Sequence, residues 1–125
     1  MNTAIRLYEL SVACKCRIRS RGWWSPWYVQ RLRGDAAELW RLFRALPEPR
    51  LTQVDRPMRL ILQALGSQLC GFRHDKERIA RLFFALHNLP RAYLPEEHPM
   101  HISEVDALAY SRSWLEQAGI KLNEL

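Results

Sequence analysis

Residues 3–20 read "TAIRLYELSVACKCRIRS", and the period assigned to this stretch decides between an all-helical protein and a mixed one. Tyr8, Leu10, Val12, Cys14, Cys16 and Ile18 alternate with mostly polar residues, the period of a half-buried strand. Ile5, Tyr8 and Val12, or Leu10, Cys14 and Ile18, also fit the helical period, and Gly22 stands where a helix would stop. The remainder of the chain breaks the tie. No later segment offers a partner strand, and an isolated hairpin is marginal in water. The expectation is a helix from about Thr3 to Ser20, with a strand or hairpin at residues 8–32 as the α+β alternative.

Four further segments carry helix punctuation. "SPWYVQRLRGDAAELWRLFRAL", residues 25–46, opens with Ser25 at the N-cap and Pro26 at the first helical position. Tyr28, Leu32, Ala36, Leu39, Phe43 and Leu46 then recur every three or four residues, making one apolar face. Asp35 and Glu38 repeat a capping-box spacing, so a restart at Gly34–Asp35 stays open. Pro47 and Pro49 end the segment. Residues 55–72 take Asp55 as cap and Pro57 in the first turn, with Met58, Ile61, Leu62, Leu65 and Leu69 on one face. Residues 75–90 take Asp75 as cap and turn Ile79, Leu82, Phe83, Leu86 and Leu89 inward. A proline-punctuated connection, residues 90–102, leads to "SEVDALAYSRSWLEQAG", residues 103–119. Ser103 with Asp106 caps its start and Gly119 its end. The expected fold is mainly α: a compact bundle of about five helices in a single domain, residues 1–125. Its core is drawn from Leu39, Phe43, Ile61, Leu65, Leu69, Ile79, Leu82, Phe83, Leu86 and Leu108.

Charge is unevenly placed. The chain carries a net +6, and 16 of its 19 basic residues are Arg. Residues 1–60 hold 12 basic and 5 acidic side chains, a net of +7; residues 61–125 hold 7 and 8, a net of −1. Arginine makes planar, bidentate contacts with carboxylate and phosphate and stacks on aromatic rings. This field implies an acidic protein or a nucleic acid as partner. No stretch reaches the roughly 18 apolar residues of a membrane span. In the N-terminal segment Glu9 interrupts the apolar run and the positive charges follow it, unlike a signal peptide. With three cysteines in no framework pattern, the expectation is a cytoplasmic protein with reduced thiols and no membrane partner.

Motifs for chemistry are sparse. The five glycines have neither phosphate-loop nor dinucleotide spacing, and no serine lies in a nucleophile elbow. Glu96–Glu97 reads as a solvated loop pair. Cys70 and His74, four apart, with Cys14 and Cys16 would make the best metal set, and His98 with His101 a second pair. Neither has the CxxC or HExxH spacing of zinc ligands, so no metal and no cofactor are expected. His87, near the end of "FFALHNLP", is expected to complement a helix C-terminus as a cation. Residues 56–86 hold two helices around a short turn, but the second is too apolar to read bases.

The stretch "CKCRIRSRGWWSPWYVQRLRG", residues 14–34, puts three tryptophans inside the most cationic part of the chain. The rings either fill the corner between the first two helices, with arginines stacked over them, or anchor a binding patch, since Trp, Tyr and Arg dominate interface hot spots. The expected partner-binding set is Arg17, Arg19, Arg21, Trp23, Trp24, Trp27, Arg31 and Arg33. In size and composition the chain resembles small helical bacterial proteins encoded beside toxins or mobile elements. That resemblance implies a non-enzymatic immunity or inhibitor protein that binds an acidic toxin or effector. The alternative is a basic nucleic-acid-binding regulator of a bacterial or mobile-element locus, gripping phosphates and stacking bases. The oligomeric state is open.

Overall fold

The computed structural model describes residues 2–19, 25–71 and 75–121. Asn2 starts the first helix. Its Oδ1 accepts from the N–H groups of Ala4 (2.8 Å) and Ile5 (3.2 Å), donors that a helix N-terminus leaves without intrahelical partners. The resulting α1, Thr3–Ile18, buries Ala4, Leu7, Ser11, Cys14 and Ile18. Steps of three and four align on one side only in a helix. The strand alternative for residues 8–32 is thereby overturned, and no strand occurs among the described residues. The buried stripe differs from both expected ones, because Leu7 and Ser11 lie at its centre. The Ser11 hydroxyl donates to the Leu7 carbonyl (2.7 Å), which satisfies it away from water. Ser20 and Gly22, the expected end, lie outside the described residues.

Helix α2, Pro26–Arg44, follows Ser25 with proline in its first turn, where a missing N–H costs nothing. It runs unbroken through Gly34 and Asp35, so there is no restart. Val29 is buried on it and Tyr28, expected inside, is 40% exposed. Val29, Leu32, Ala36, Leu39 and Phe43 follow the same 3.6-residue period, centred so as to leave Tyr28 outside. Helix α3 spans Thr52–Cys70, α4 Lys76–Leu86 and α5 Glu104–Gln117. A 3-10 turn, Leu89–Tyr93, occupies part of the expected proline-rich connection and buries Leu89, Pro90 and Ala92. Three expected caps are in place. Asp75 accepts from the N–H of Arg78 (3.0 Å) and Ser103 from that of Asp106 (3.1 Å). Gly119 has φ +80°, and the N–H groups of Gly119 and Ile120 return to the carbonyls of Glu116 (3.0 Å) and Leu115 (2.9 Å), the paired bonds of a Schellman ending.

These elements close around one apolar cluster. Helix α4 packs against α1, α3 and α5, and α2 lies between α1 and α3. Nine of the ten expected core residues are buried, and Leu108 is half-buried. Helix α5 instead turns Ala107, Ser111 and Leu115 inward, and the Phe84 and Trp114 rings meet at 4.8 Å beside them. Small residues at the contact allow that close approach. No helix of the described residues is long and apolar enough to cross a membrane.

The corner between α2 and α3 is held by charge. Asp55 does not cap α3, which begins three residues earlier with Leu51 as N-cap. Its side chain is buried in the first turn. Arg50 donates to Asp55 Oδ1 from Nε (2.8 Å) and Nη2 (2.7 Å), and Arg59 donates to Oδ2 (3.1 Å). Arg50 also donates from Nη1 to the carbonyls of Phe43 (2.9 Å) and Leu46 (3.2 Å), closing the end of α2. Its guanidinium lies 4.6 Å from the Phe43 ring centre and 5.8 Å from that of Tyr93. The Tyr93 hydroxyl accepts from the N–H of Leu51 (2.8 Å), and Glu104 accepts from that of Gln53 (3.2 Å). Removing one partner of a buried pair strands the other. Asp55→Ala is therefore expected to lower the unfolding free energy by about 3 kcal/mol in urea titration, and Asp55→Asn, which keeps part of the hydrogen bonding, by less.

Candidate functional site

Within the basic, Trp-containing segment Arg17 is half-buried, and Arg19, Trp27, Arg31 and Arg33 are exposed and put to differing uses. Arg17 forms an ion pair with Asp35, joining the end of α1 to the middle of α2. The carboxylate that looked like a helix start is thus an interhelical anchor. Cys14 lies against the same carboxylate, Sγ to Oδ2 3.8 Å. Burial, reinforced by the Asp35 charge, pushes its thiol up to about 12, so Cys14 stays protonated and unreactive. Arg19 lies over the Phe84 ring at 5.5 Å. Arg33 donates from Nε (2.9 Å) and Nη2 (2.7 Å) to the Leu69 carbonyl, satisfying the last turn of α3. Trp27, by contrast, is 84% exposed at the start of α2. Arg31, one turn further on, is exposed beside it. Arg21, Trp23 and Trp24 lie outside the described residues.

The other chemistry-bearing residues are scattered between core and surface. Cys14 and Cys16 are two positions apart on a helix and face different ways, one buried and one exposed. Cys70 is exposed at the end of α3, and His74 lies outside the described residues. His98 accepts the Met100 N–H on Nδ1 (3.0 Å) and meets the Tyr8 ring edge-on. His101 Nδ1 is buried without a protein partner. No three of His, Cys, Asp and Glu gather to hold a metal ion among the described residues. His87 caps α4 and its Nδ1–H donates to the Phe84 carbonyl (2.7 Å). Burial, with Lys15 nearby, lowers its pKa to about 4. At neutral pH it therefore acts as a neutral donor, and not as the expected cation.

The periodicity of α2 and α3 did not reveal a groove of about 380 Å³ between them. Ala36, Ala37 and Trp40 line it from α2, and Leu62, Gly66 and Ser67 from α3. Arg33 and Cys70 stand at one end. A Cβ placed on Gly66 would meet no atom within 4 Å, so this glycine opens toward solvent. The legible signal is a pair of small residues in the middle of each helix, Ala36–Ala37 and Gly66–Ser67. A shallower hollow of about 340 Å³ between α1 and α2 mixes Arg6 with Glu9 and Glu38, whereas among the described residues no acidic one lines the α2–α3 groove.

Compared with protein-family models, curated proteins and solved structures, the chain matches none of them.

Two expectations follow from this geometry. A maleimide at neutral pH should label Cys16 and Cys70 in the native protein and reach Cys14 only after unfolding, as counted by mass spectrometry. The native His87 ring resists a proton that the unfolded chain accepts near pH 6.5. Its contribution is complete above that pH and is lost as pH falls from about 6.5 toward 4. Urea midpoints across this window should fall less steeply for His87→Gln than for the wild type.

Proposed function

We propose that this chain is a non-enzymatic binding domain that acts by covering the surface of an acidic partner protein. Its most specific form is a cytoplasmic immunity or inhibitor protein that neutralises a toxin or effector. The observation that carries this reading is Trp27, a large ring 84% exposed in the first turn of α2, one turn from exposed Arg31. Exposed Trp costs free energy in water that burial against a partner recovers, and Trp with Arg is the pairing most often found at the energetic centre of interfaces. The mechanism is steric. The net charge of +6 steers an acidic partner inward and raises the association rate at low salt.

The internal use of Arg17 and Arg33 weighs against the nucleic-acid alternative. An arginine already engaged with Asp35 or with the Leu69 carbonyl has fewer donors left for a phosphate. Nucleic-acid affinity depends on the number of phosphates neutralised.

Immobilised protein should retain an acidic partner from the native host. Trp27→Ala should weaken that partner by about 30-fold, the equivalent of about 2 kcal/mol at a hot spot, with the helical circular dichroism spectrum unchanged. Random duplex or single-stranded nucleic acid should bind weakly at physiological salt. Sub-micromolar nucleic-acid binding with a log–log salt slope of about −3 to −5, abolished by Arg31→Glu, would overturn the reading.

A further inference from the structure

The α2–α3 groove has an apolar floor and a charged rim of one sign. Helices α2 and α3, each of 19 residues, run antiparallel. The residue 45–51 connection joins them at one end, and the Arg33 contact to the Leu69 carbonyl ties them at the other. The rim continues along both helices by turn spacing. Arg44 stands one turn beyond Trp40 on α2, and Arg56 and Arg59 precede Gln63 by two turns and one turn on α3.

Of the acids on the two helices, Asp55 alone meets this rim, through Arg59. Helix α2 contains two carboxylates, Asp35 and Glu38, and α3 one, Asp55. Asp35 is held by Arg17, Glu38 by Arg6 and Arg41, and Asp55 by Arg50 and Arg59. The acids of α2 thus point toward α1, and that of α3 is buried in the interhelical corner. Arg44 and Arg56 are exposed, and turn spacing from Trp40 and Gln63 aligns them with the groove.

We infer that this groove receives an acidic amphipathic helix of the partner protein, its apolar stripe on Ala37, Trp40, Leu62 and Gly66 and its carboxylates on the arginine rim. The inference rests on the protein-binding reading above and names the element the partner presents. Small residues on the floor let a third helix approach closely, since packing distance is set by the side chains at the contact. A stripe of large apolar residues is what such a floor accepts. A second copy of this chain is the wrong occupant, because its own face carries the same excess of arginine on a molecule of net charge +6, and like charges across an interface repel.

The test uses a synthetic 18-residue helical peptide with a leucine stripe flanked by glutamates, against the same stripe flanked by lysines. The glutamate peptide should bind the full chain with a Kd below about 100 μM and shift the amide resonances of Ala37, Trp40 and Gly66. The lysine peptide should bind at least tenfold more weakly. Gly66→Leu fills the groove from a position where the added side chain meets open space and where leucine favours the helix. This variant should lower glutamate-peptide affinity at least tenfold while leaving the thermal midpoint intact. Arg44→Glu with Arg56→Glu should do the same through charge alone. Equal binding of the two peptides, resonance shifts elsewhere, no binding of the glutamate peptide, or full affinity in Gly66→Leu overturns the groove. Dimerisation of the chain that Gly66→Leu abolishes also overturns it, in favour of a second copy. A captured partner that Trp27→Ala releases and Gly66→Leu does not sinks the groove and leaves the protein-binding reading standing. Failure to retain any protein beside a groove that still selects the glutamate peptide sinks that reading instead.

Discussion

The buried carboxylate of Asp55 sets the geometry on which α2, α3 and the turn after α4 depend. A charge taken out of water is costly unless partners surround it. At 8% exposure, Asp55 requires both Arg50 and Arg59. Turning Arg50 inward has consequences beyond the pair. Its remaining donors reach the end of α2, its flat face covers Phe43, and Tyr93 closes over it while accepting the Leu51 N–H. One guanidinium thereby ends one helix, orients the next and seats the 3-10 turn between α4 and α5. The groove between α2 and α3 takes its shape from the same corner at one end and from Arg33 at the other.

Arginine is therefore used in two ways. Arg17, Arg33 and Arg50 supply charge and hydrogen bonds to other parts of the chain, at helix ends and on carboxylates. Arg31, Arg44 and Arg56 are turned to solvent, beside Trp27 or along the groove. The planar fork suits both uses, because it satisfies a carbonyl or carboxylate with paired donors and also stacks on rings. A count of basic residues along the chain overstates the charge available to a partner. The distribution matters more: the acids of α2 and α3 are drawn toward neighbouring elements, which leaves one cationic face with an apolar centre.

Cys14 and His87, residue types that carry reactions in many enzymes, are drawn into packing here. Cys14 is held as a thiol between α1 and α2, and His87 is held neutral at the end of α4. Both owe their state to burial, which disfavours the charged form of either group. The proposed function accordingly rests on surface shape and charge, through an exposed ring and a lined groove.

What the sequence by itself determined were features that act within a few residues. Pro26, Asp75, Ser103 and Gly119 mark helix ends because a cap satisfies backbone groups two to five positions away, and the stripes of α3 and α4 name the core because 3.6-residue periodicity is local. The first helix was legible only as a choice, since Ala4, Ser11 and Cys14 are small or polar enough to hide its buried face. Tertiary structure decided the fate of the charges whose partners are distant in sequence. Arg17 meets Asp35 across 18 positions and Arg33 meets Leu69 across 36, so no local pattern distinguishes them from Arg31. Asp55 read as a cap because an acid before a proline-containing helix start usually is one. Only the approach of Arg50 and Arg59 made burial cheaper than capping. The groove belongs to the same class: small residues in two helices are visible in the sequence, but a concave surface exists only once packing sets the two backbones side by side.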